Sequence, residues 1–166
     1  MVNSSAWRWL QPERKELIHA GRTTVAAVAS LLIARLFRLP ESYWAPITTI
    51  VVMQSTWGAA WTISRQRLEG TALGALMGAL LATYFHDNVA AFAGGIFLAG
   101  VICAALRTER NAYRYAGITL AIVMLVARTQ AAWLIAIHRF IEISIGIAVG
   151  LSLTAVWPES RPAANR

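Results

Sequence analysis

The stretch AAWTISRQRLEGTALGALMG (residues 59–78) returns in outline as AAWLIAIHRFIEISIGIAVG (residues 131–150). Both copies carry the skeleton Ala-Ala-Trp-x-Ile-x3-Arg-x6-Gly-x3-Gly, and a constant offset of 72 residues separates them. At this offset, about thirteen of the fifty-one residue pairs from position 35 to position 85 are identical. Such self-similarity indicates an internal duplication.

The composition is that of a membrane protein. Hydrophobic residues make up 57% of the 166 residues, and the mean hydropathy is +0.53, which is too apolar for an ordinary soluble domain. The apolar segments lie at about 20–37, 43–58, 70–85, 89–106, 114–127 and 134–157. We expect helices, because these segments exceed the usual length of strands and their small residues recur every four positions.

The number of spans in each copy sets the predicted topology. Three spans are an odd number, so the second copy enters the membrane in the opposite direction to the first. We therefore predict an all-α polytopic membrane protein with six transmembrane helices arranged as an inverted 3+3 repeat. The first copy covers about residues 20–86 and the second about residues 89–158. Inverted repeats suit alternating access, so a transporter is the leading hypothesis.

The charge distribution predicts the orientation. In this topology, eleven of the fifteen basic residues lie on the side of the membrane that carries the N-terminus, and four lie on the other side. The positive-inside rule then places both termini in the cytoplasm. The expected organisation is a cytoplasmic interfacial segment (residues 1–18), a single membrane domain (19–158) and a cytoplasmic tail (159–166).

Polar stretches between the apolar segments predict the loops. These are Leu39–Ser42, Trp61–Glu69, His86–Asn88, Arg107–Tyr113 and Arg128–Trp133. In this interpretation Trp61 and Arg67 lie at the inner face of the membrane. Their repeat mates, Trp133 and Arg139, lie at the outer face.

One run of residues resembles a known family. The run is YWAPITTIVVMQ (Tyr43–Gln54), followed by Gly58, Trp61, Arg67 and the glycines from Gly70 to Gly78. With the Val156-Trp157-Pro158 ending of the last span, it is similar to the fusaric acid resistance and aromatic acid exporter proteins. The resemblance covers about residues 20–158.

This resemblance implies a place and a function. Its members are bacterial inner-membrane proteins that export aromatic carboxylic acids or similar toxic small molecules, driven by the proton gradient. Many of them carry two six-helix blocks or a large soluble domain, whereas this chain has one block. The expected partners are therefore the lipid bilayer, a small organic acid, and either further copies of this chain or a second membrane subunit.

Five glycines are predicted to serve helix packing. Gly70, Gly74 and Gly78 recur every four residues and stack on one helix face, and the second copy keeps Gly146 and Gly150. Small residues allow a neighbouring backbone to approach closely within lipid.

Glu142 is the candidate for proton coupling. It stands in the second copy where the first has Gly70, one turn before Gly146. Ionisable groups within spans are costly and usually face the bundle interior or a cavity, where a carboxyl group can bind and release a proton. The alternative is an i,i+3 ion pair with Arg139 near the outer interface.

Four residues are candidates for substrate binding. Arg35 and Arg139 lie on the side where positive charge is unfavourable, and a guanidinium group suits a carboxylate. Thr48 and Gln54 could line a polar path through the second span. Hydrogen bonds between helices are the alternative for both. Arg67 could also receive a carboxylate, but the positive-inside rule explains it without a function, so it ranks below Arg35 and Arg139.

Other classes of function lack sequence support. The basic residues do not interleave with aromatic residues on a polar face, so nucleic acid is not an expected partner. The sequence holds no zinc spacing, phosphate loop, nucleophile elbow or dinucleotide motif, so we expect no enzymatic activity, metal or cofactor. Two alternatives to a transporter stay open: a non-transporting accessory subunit of a larger exporter, and a passive pore.

Overall fold

The computed structural model describes residues 14–54, 56–85, 88–126 and 131–157. These ranges contain six α-helices and no strand, in agreement with the predicted all-α class. The helices are Arg14–Leu36 (α1), Trp44–Val52 (α2), Trp57–Tyr84 (α3), Val89–Ala105 (α4), Arg110–Leu125 (α5) and Ala132–Val156 (α6).

Two predicted end segments, and the predicted loops His86–Asn88 and Arg128–Trp133, lie wholly or partly outside the described residues. The proposed tail, 159–166, lies outside them, and so do residues 1–13 of the proposed interfacial segment. The rest of that segment is the beginning of α1, which starts at Arg14.

The third helix departs most from the sequence prediction. It runs without interruption from Trp57 to Tyr84 and includes all of Trp61–Glu69, so the loop predicted there is wrong. The helical structure is interrupted earlier in the chain, because the backbone of Met53 is extended after α2 (φ −62°, ψ 108°). Thr56 then caps α3, and its side chain accepts a hydrogen bond from a backbone amide of the first turn.

The physical reason is that polarity alone does not make a loop. Arg, Gln, Leu and Glu are strong helix formers, and a polar side chain can be buried if it finds a partner. Gln66 accepts a hydrogen bond from Asn111 of α5 at 3.1 Å, and Arg67 donates to Thr48 of α2. Arg67 and Arg139 are both buried within helices. They therefore no longer count among the charges that orient the protein in the membrane. Each side of the predicted topology loses one arginine from that count.

The six helices form a bundle with α3 and α6 at its centre. α5 packs on α3, and α2 packs on α6; α1 contacts α2 and α6, and α4 contacts α5 and α3. α2 also meets α3, and α5 meets α6. Exchanging α1, α2 and α3 for α4, α5 and α6 leaves this set of contacting pairs unchanged. The helix contacts thus have the same two-fold equivalence as the sequence repeat.

The first helix of each copy ends in the same way. Arg38 and Arg107, each two residues beyond the last helical residue, have left-handed backbones with φ of 52° and 51°. The next amide donates to a carbonyl oxygen five residues earlier, at 3.2 Å after α1 and at 3.0 Å after α4. This pattern is the Schellman motif, here with arginine where glycine is usual.

The glycines of the first copy lie where α3 crosses α5. A Cβ atom on Gly70 would overlap the backbone carbonyl oxygen of Ala112, and one on Gly74 would overlap that of Ala116. A Cβ atom on Gly78 would come within 3.0 Å of the Cβ of Val123. The absence of side chains therefore sets how closely these two helices approach.

The glycines of the second copy lie at the equivalent crossing of α6 and α2. A Cβ atom on Gly146 would overlap the carbonyl oxygen of Ala45, and one on Gly150 would lie 3.1 Å from a methyl group of Val52. The hydroxyl of Thr49 also donates to the carbonyl oxygen of Gly146 at 3.0 Å.

The outward surface of the bundle is apolar. Large hydrophobic side chains are exposed on every helix, and Leu36 and Val156 are 81% and 82% exposed. Glu16–Leu36 and Ala132–Val156 are long and apolar enough to cross a bilayer, and Val89–Ala105 is a shorter apolar helix. Apolar surface of this extent is typical of a membrane or subunit interface.

Candidate substrate site between the two halves

A narrow cleft lies where the two halves of the bundle meet. The residues that line it come from four helices: Trp44, Arg67, Thr71, Tyr115, Ile118, Thr119, Ile122, Arg139 and Ile143. Arg67 and Arg139 are repeat mates, so the cleft places the two equivalent guanidinium groups in one space. In this conformation it has room for about one water molecule (about 10 Å³). A larger ligand requires the halves to separate.

Arg139 is held by groups of the α1–α2 connection and of α2. Its side chain is only 3% exposed, and Nη2 forms an ion pair with the carboxylate of Glu41. The guanidinium carbon lies 4.1 Å from the centre of the Trp44 ring, within the range of a cation–π interaction. Trp44 and Tyr43 also donate hydrogen bonds to Glu41, each at 3.2 Å.

Glu142 completes this group and is fully buried. Its Oε1 accepts a hydrogen bond from the backbone amide of Glu41 at 3.1 Å, and its Oε2 lies 3.8 Å from Nη1 of Arg139. In the part of the chain that is described, Oε2 of Glu142 and the Nε and Nη1 atoms of Arg139 are buried without a hydrogen-bond partner. We call Glu41, Arg139 and Glu142 the carboxylate cluster.

Glu142 lies in the first half of α6. It is ten residues, almost three turns, from the start of α6 at Ala132. Its carboxylate and the Arg139 guanidinium form an i,i+3 pair, as that alternative expects. The pair is buried in the bundle, beside a small pocket that Pro40 and His138 also line.

Arg67 occupies the equivalent place in the first copy but has different partners. Its side chain is buried, and both Nε and Nη2 donate to the hydroxyl oxygen of Thr48, at 3.2 Å and 3.0 Å. The guanidinium carbon lies 4.9 Å from the centre of the Tyr115 ring. Each arginine therefore stacks over an aromatic ring of the opposite half.

The residues predicted to bind substrate are not all brought together. Arg139 lines the cleft. Thr48 does not line it, but its hydroxyl accepts a hydrogen bond from Arg67, which does. Arg35 lies in the last turn of α1 with an exposed side chain and does not line the cleft. Gln54 donates to the carbonyl oxygen of Val51, three residues back, and does not line it either.

Sequence reasoning missed several residues around the cleft, chiefly Glu41, Trp44 and Tyr115. A signal for Arg67 and Tyr115 was present, because Arg67 is the repeat mate of Arg139 and Tyr115 that of Tyr43. Glu41 gave no signal, since a carboxylate in a predicted loop is ordinary. Only the fold shows that it contacts Arg139.

Comparison with known proteins identifies relatives. A model of the fusaric acid resistance protein-like family matches residues 27–153. The chain is 28% identical over 147 residues to the inner membrane protein YeeA of Escherichia coli, covering 86% of this chain and 41% of YeeA. Over an alignment 178 residues long, it is 29% identical to the E. coli protein called uncharacterized transporter YdhK. The alignment covers 98% of this chain and 26% of YdhK.

These relatives are longer than the chain. The matched region spans about two fifths of YeeA and about a quarter of YdhK. No solved structure matches the chain significantly.

Proposed function

The chain belongs to the fusaric acid resistance protein-like family, and we propose that it is an inner-membrane transporter that exports small aromatic or lipophilic organic acids. The observation that carries this proposal is the cleft between the halves, where two buried guanidinium groups stand beside two aromatic rings. Guanidinium groups bind carboxylates, and aromatic faces suit a flat apolar body.

The proposed topology is six spans in an inverted 3+3 repeat with both termini in the cytoplasm. The exchange symmetry of the helix contacts and the matching ends of α1 and α4 support it. The nine residues of α2 extend only about 14 Å, about half of a bilayer core. The second span is then a half-length helix that ends inside the bundle, as discontinuous helices do at transporter binding sites.

In the proposed cycle the carboxylate cluster carries the proton. With both carboxylates ionised, Glu41, Arg139 and Glu142 have a net charge of −1, and one proton makes the cluster neutral. Glu142 is the proposed proton carrier because it is fully buried and one of its oxygens has no hydrogen-bond partner among the described residues. Proton uptake would change how firmly α6 is held to the α1–α2 connection.

The test is transport by the purified protein in sealed vesicles. Flux of benzoate and related aromatic carboxylates is expected to follow an imposed pH gradient. E142Q should abolish that dependence, whereas E69Q, which removes an exposed carboxylate paired with Arg65, should not. Benzoate flux that ignores the pH gradient would contradict proton coupling and favour a passive pore.

One alternative involves further membrane segments of the kind that the longer relatives contain. The matched region is a quarter to two fifths of YdhK and YeeA. The alternative to autonomous transport is that transport requires further copies or a second membrane subunit. Native mass spectrometry of the purified protein measures the number of copies. Folded protein that transports only after a co-purifying membrane chain is added would identify an accessory subunit.

A further inference from the structure

We propose that the carboxylate of the transported acid binds to the guanidinium group of Arg67, while Arg139 is held by the protein's own carboxylates. This inference rests on the proposed function, because it names the place where that function binds the anionic group. It reverses the ranking from sequence, in which Arg139 stands above Arg67 as a substrate residue.

The first argument is the difference in counter-charge. Arg139 is paired with Glu41 and lies 3.8 Å from a carboxylate oxygen of Glu142. Among the residues described, no carboxylate lies within the 4.0 Å ion-pair distance of Arg67. A buried charge without a counter-charge is costly, so the surroundings of Arg67 favour an added anion.

The second argument is the neutral character of the groups that bind the guanidinium group of Arg67. A guanidinium group has five N–H donors in a planar fork. Nε and Nη2 of Arg67 both donate to the hydroxyl oxygen of Thr48, and Tyr115 is a further side-chain partner, whose ring lies beside the group. Both partners are neutral, so neither supplies the negative charge that a carboxylate would bring to the guanidinium group. Since Arg67 lines the cleft, a carboxylate that enters there can reach its guanidinium group.

The sequence repeat explains why the two arginines differ. The position equivalent to Glu142 in the first copy is Gly70, and the position equivalent to Glu41 in the second copy is Tyr113. Both carboxylates that serve Arg139 are thus missing at Arg67. The duplicated frame provides two equivalent cationic positions, and substitutions have left one of them without a protein counter-ion.

The lining of the cleft defines the chemical class of the ligand. Tyr115 and Trp44 offer ring faces, and Thr71 and Thr119 offer hydroxyl groups. The remaining walls are the isoleucine side chains Ile118, Ile122 and Ile143. A second charged group on the ligand would face these apolar walls, where burial is unfavourable. The site therefore fits a monocarboxylate with a flat apolar body better than a dicarboxylate.

The first test measures the binding of radiolabelled benzoate to the full-length protein in lipid nanodiscs. R67Q is expected to weaken binding at least tenfold, and R67K less, because an ammonium group keeps the charge but lacks the bidentate fork. R65Q is the matched control, since Arg65 lies on the same helix in an exposed ion pair with Glu69. It should bind as the wild type does. Phthalate, a dicarboxylate, should compete poorly.

A second variant supplies a counter-ion instead of removing the cation. Thr71 lies one turn beyond Arg67 and lines the same cleft. T71D should place a carboxylate next to Arg67 and weaken benzoate binding at least tenfold relative to the similarly sized T71N. T71D also tests the proposal if the Arg67 variants fail to fold.

The outcomes separate the site from the transport proposal. Benzoate binding that depends on Arg67, together with an absence of pH-driven flux, would support the anion site and overturn the transport proposal. Normal flux, with benzoate binding unchanged in R67Q and T71D but lost in R139Q, would overturn the anion site and leave transport standing.

Discussion

Arg67 and Arg139 occupy equivalent positions in a duplicated fold but have opposite electrostatic surroundings. Each lies on a central helix, stacks over an aromatic ring and faces the same cleft. Arg139 has two carboxylates beside it, whereas Arg67 has a hydroxyl group and a ring. An internal repeat therefore reproduces the position of a charged group without reproducing its role, because the role depends on which neighbours retain a counter-charge.

The largest expected effect is the loss of Arg139. R139Q leaves the carboxylates of Glu41 and Glu142 without their cation, and breaking a buried pair typically costs about 3–5 kcal/mol. R67Q leaves no buried carboxylate behind and also removes a buried charge that lacks a counter-charge, so the lost contacts should cost no more than about 1–2 kcal/mol. Unfolding in mixed micelles, followed by tryptophan fluorescence, measures both free energies of unfolding.

A rescue experiment sharpens this comparison. The double variant R139Q/E142Q should be more stable than R139Q, because it removes one of the stranded carboxylates. Equal losses of stability in R67Q and R139Q would show that the two arginines have the same structural role.

A smaller effect is expected at the glycine crossings, where the two halves match. G74A and G146A both place a methyl group against backbone atoms of the facing helix and should each cost about 1–3 kcal/mol. Gly94 of α4 has open space around it, with nothing packed within 4 Å of where a Cβ atom would lie. G94A should therefore be neutral or stabilising by up to about 1 kcal/mol. The same unfolding assay measures all three. Neutral G74A and G146A variants would mean that close packing does not hold these crossings.

The link between Thr48 and Arg67 should have a modest effect on binding. T48V removes the hydroxyl group that accepts from Nε and Nη2 of Arg67, and T48S keeps it. A hydrogen bond contributes about 1 kcal/mol, so T48V should weaken benzoate binding by about three- to tenfold. Equilibrium binding of benzoate tests this, and equal affinities for T48V and T48S would separate Thr48 from the anion site.

The smallest effects are expected at the sequence candidates outside the cleft. Arg35 is exposed, and the side chain of Gln54 donates to the carbonyl oxygen of Val51. R35Q and Q54A should therefore change benzoate affinity by less than about twofold. Competition binding gives the comparison with R67Q. A loss in R35Q as large as in R67Q would move the anion site away from the cleft.

Much of the fold followed from hydropathy and the repeat, because both are local properties of the chain. The helical class and the positions of α1, α4 and α6 match the predicted segments within a few residues, apart from the earlier start of α1. The error at Trp61–Glu69 has a specific cause. Hydropathy reads a polar run as solvent-exposed, whereas Gln66 and Arg67 find partners on other helices.

The site was predictable only in part. Arg139 and Glu142 were identified because charges within apolar segments are conspicuous, and they do lie together in the bundle. Arg67 was assigned to a loop, and its place beside the cleft followed only from the course of α3. Glu41 could not be found, since its contact with Arg139 joins residues that are 98 positions apart.

The sequence by itself determined the duplication, the apolar helices, the glycine spacing and the positions of the two arginines. These depend on residue type and on spacing along the chain. The tertiary structure alone decided which arginine meets carboxylates and which faces the cleft without one. Ion pairing acts over a few ångströms, and folding sets such distances between residues that the chain keeps far apart.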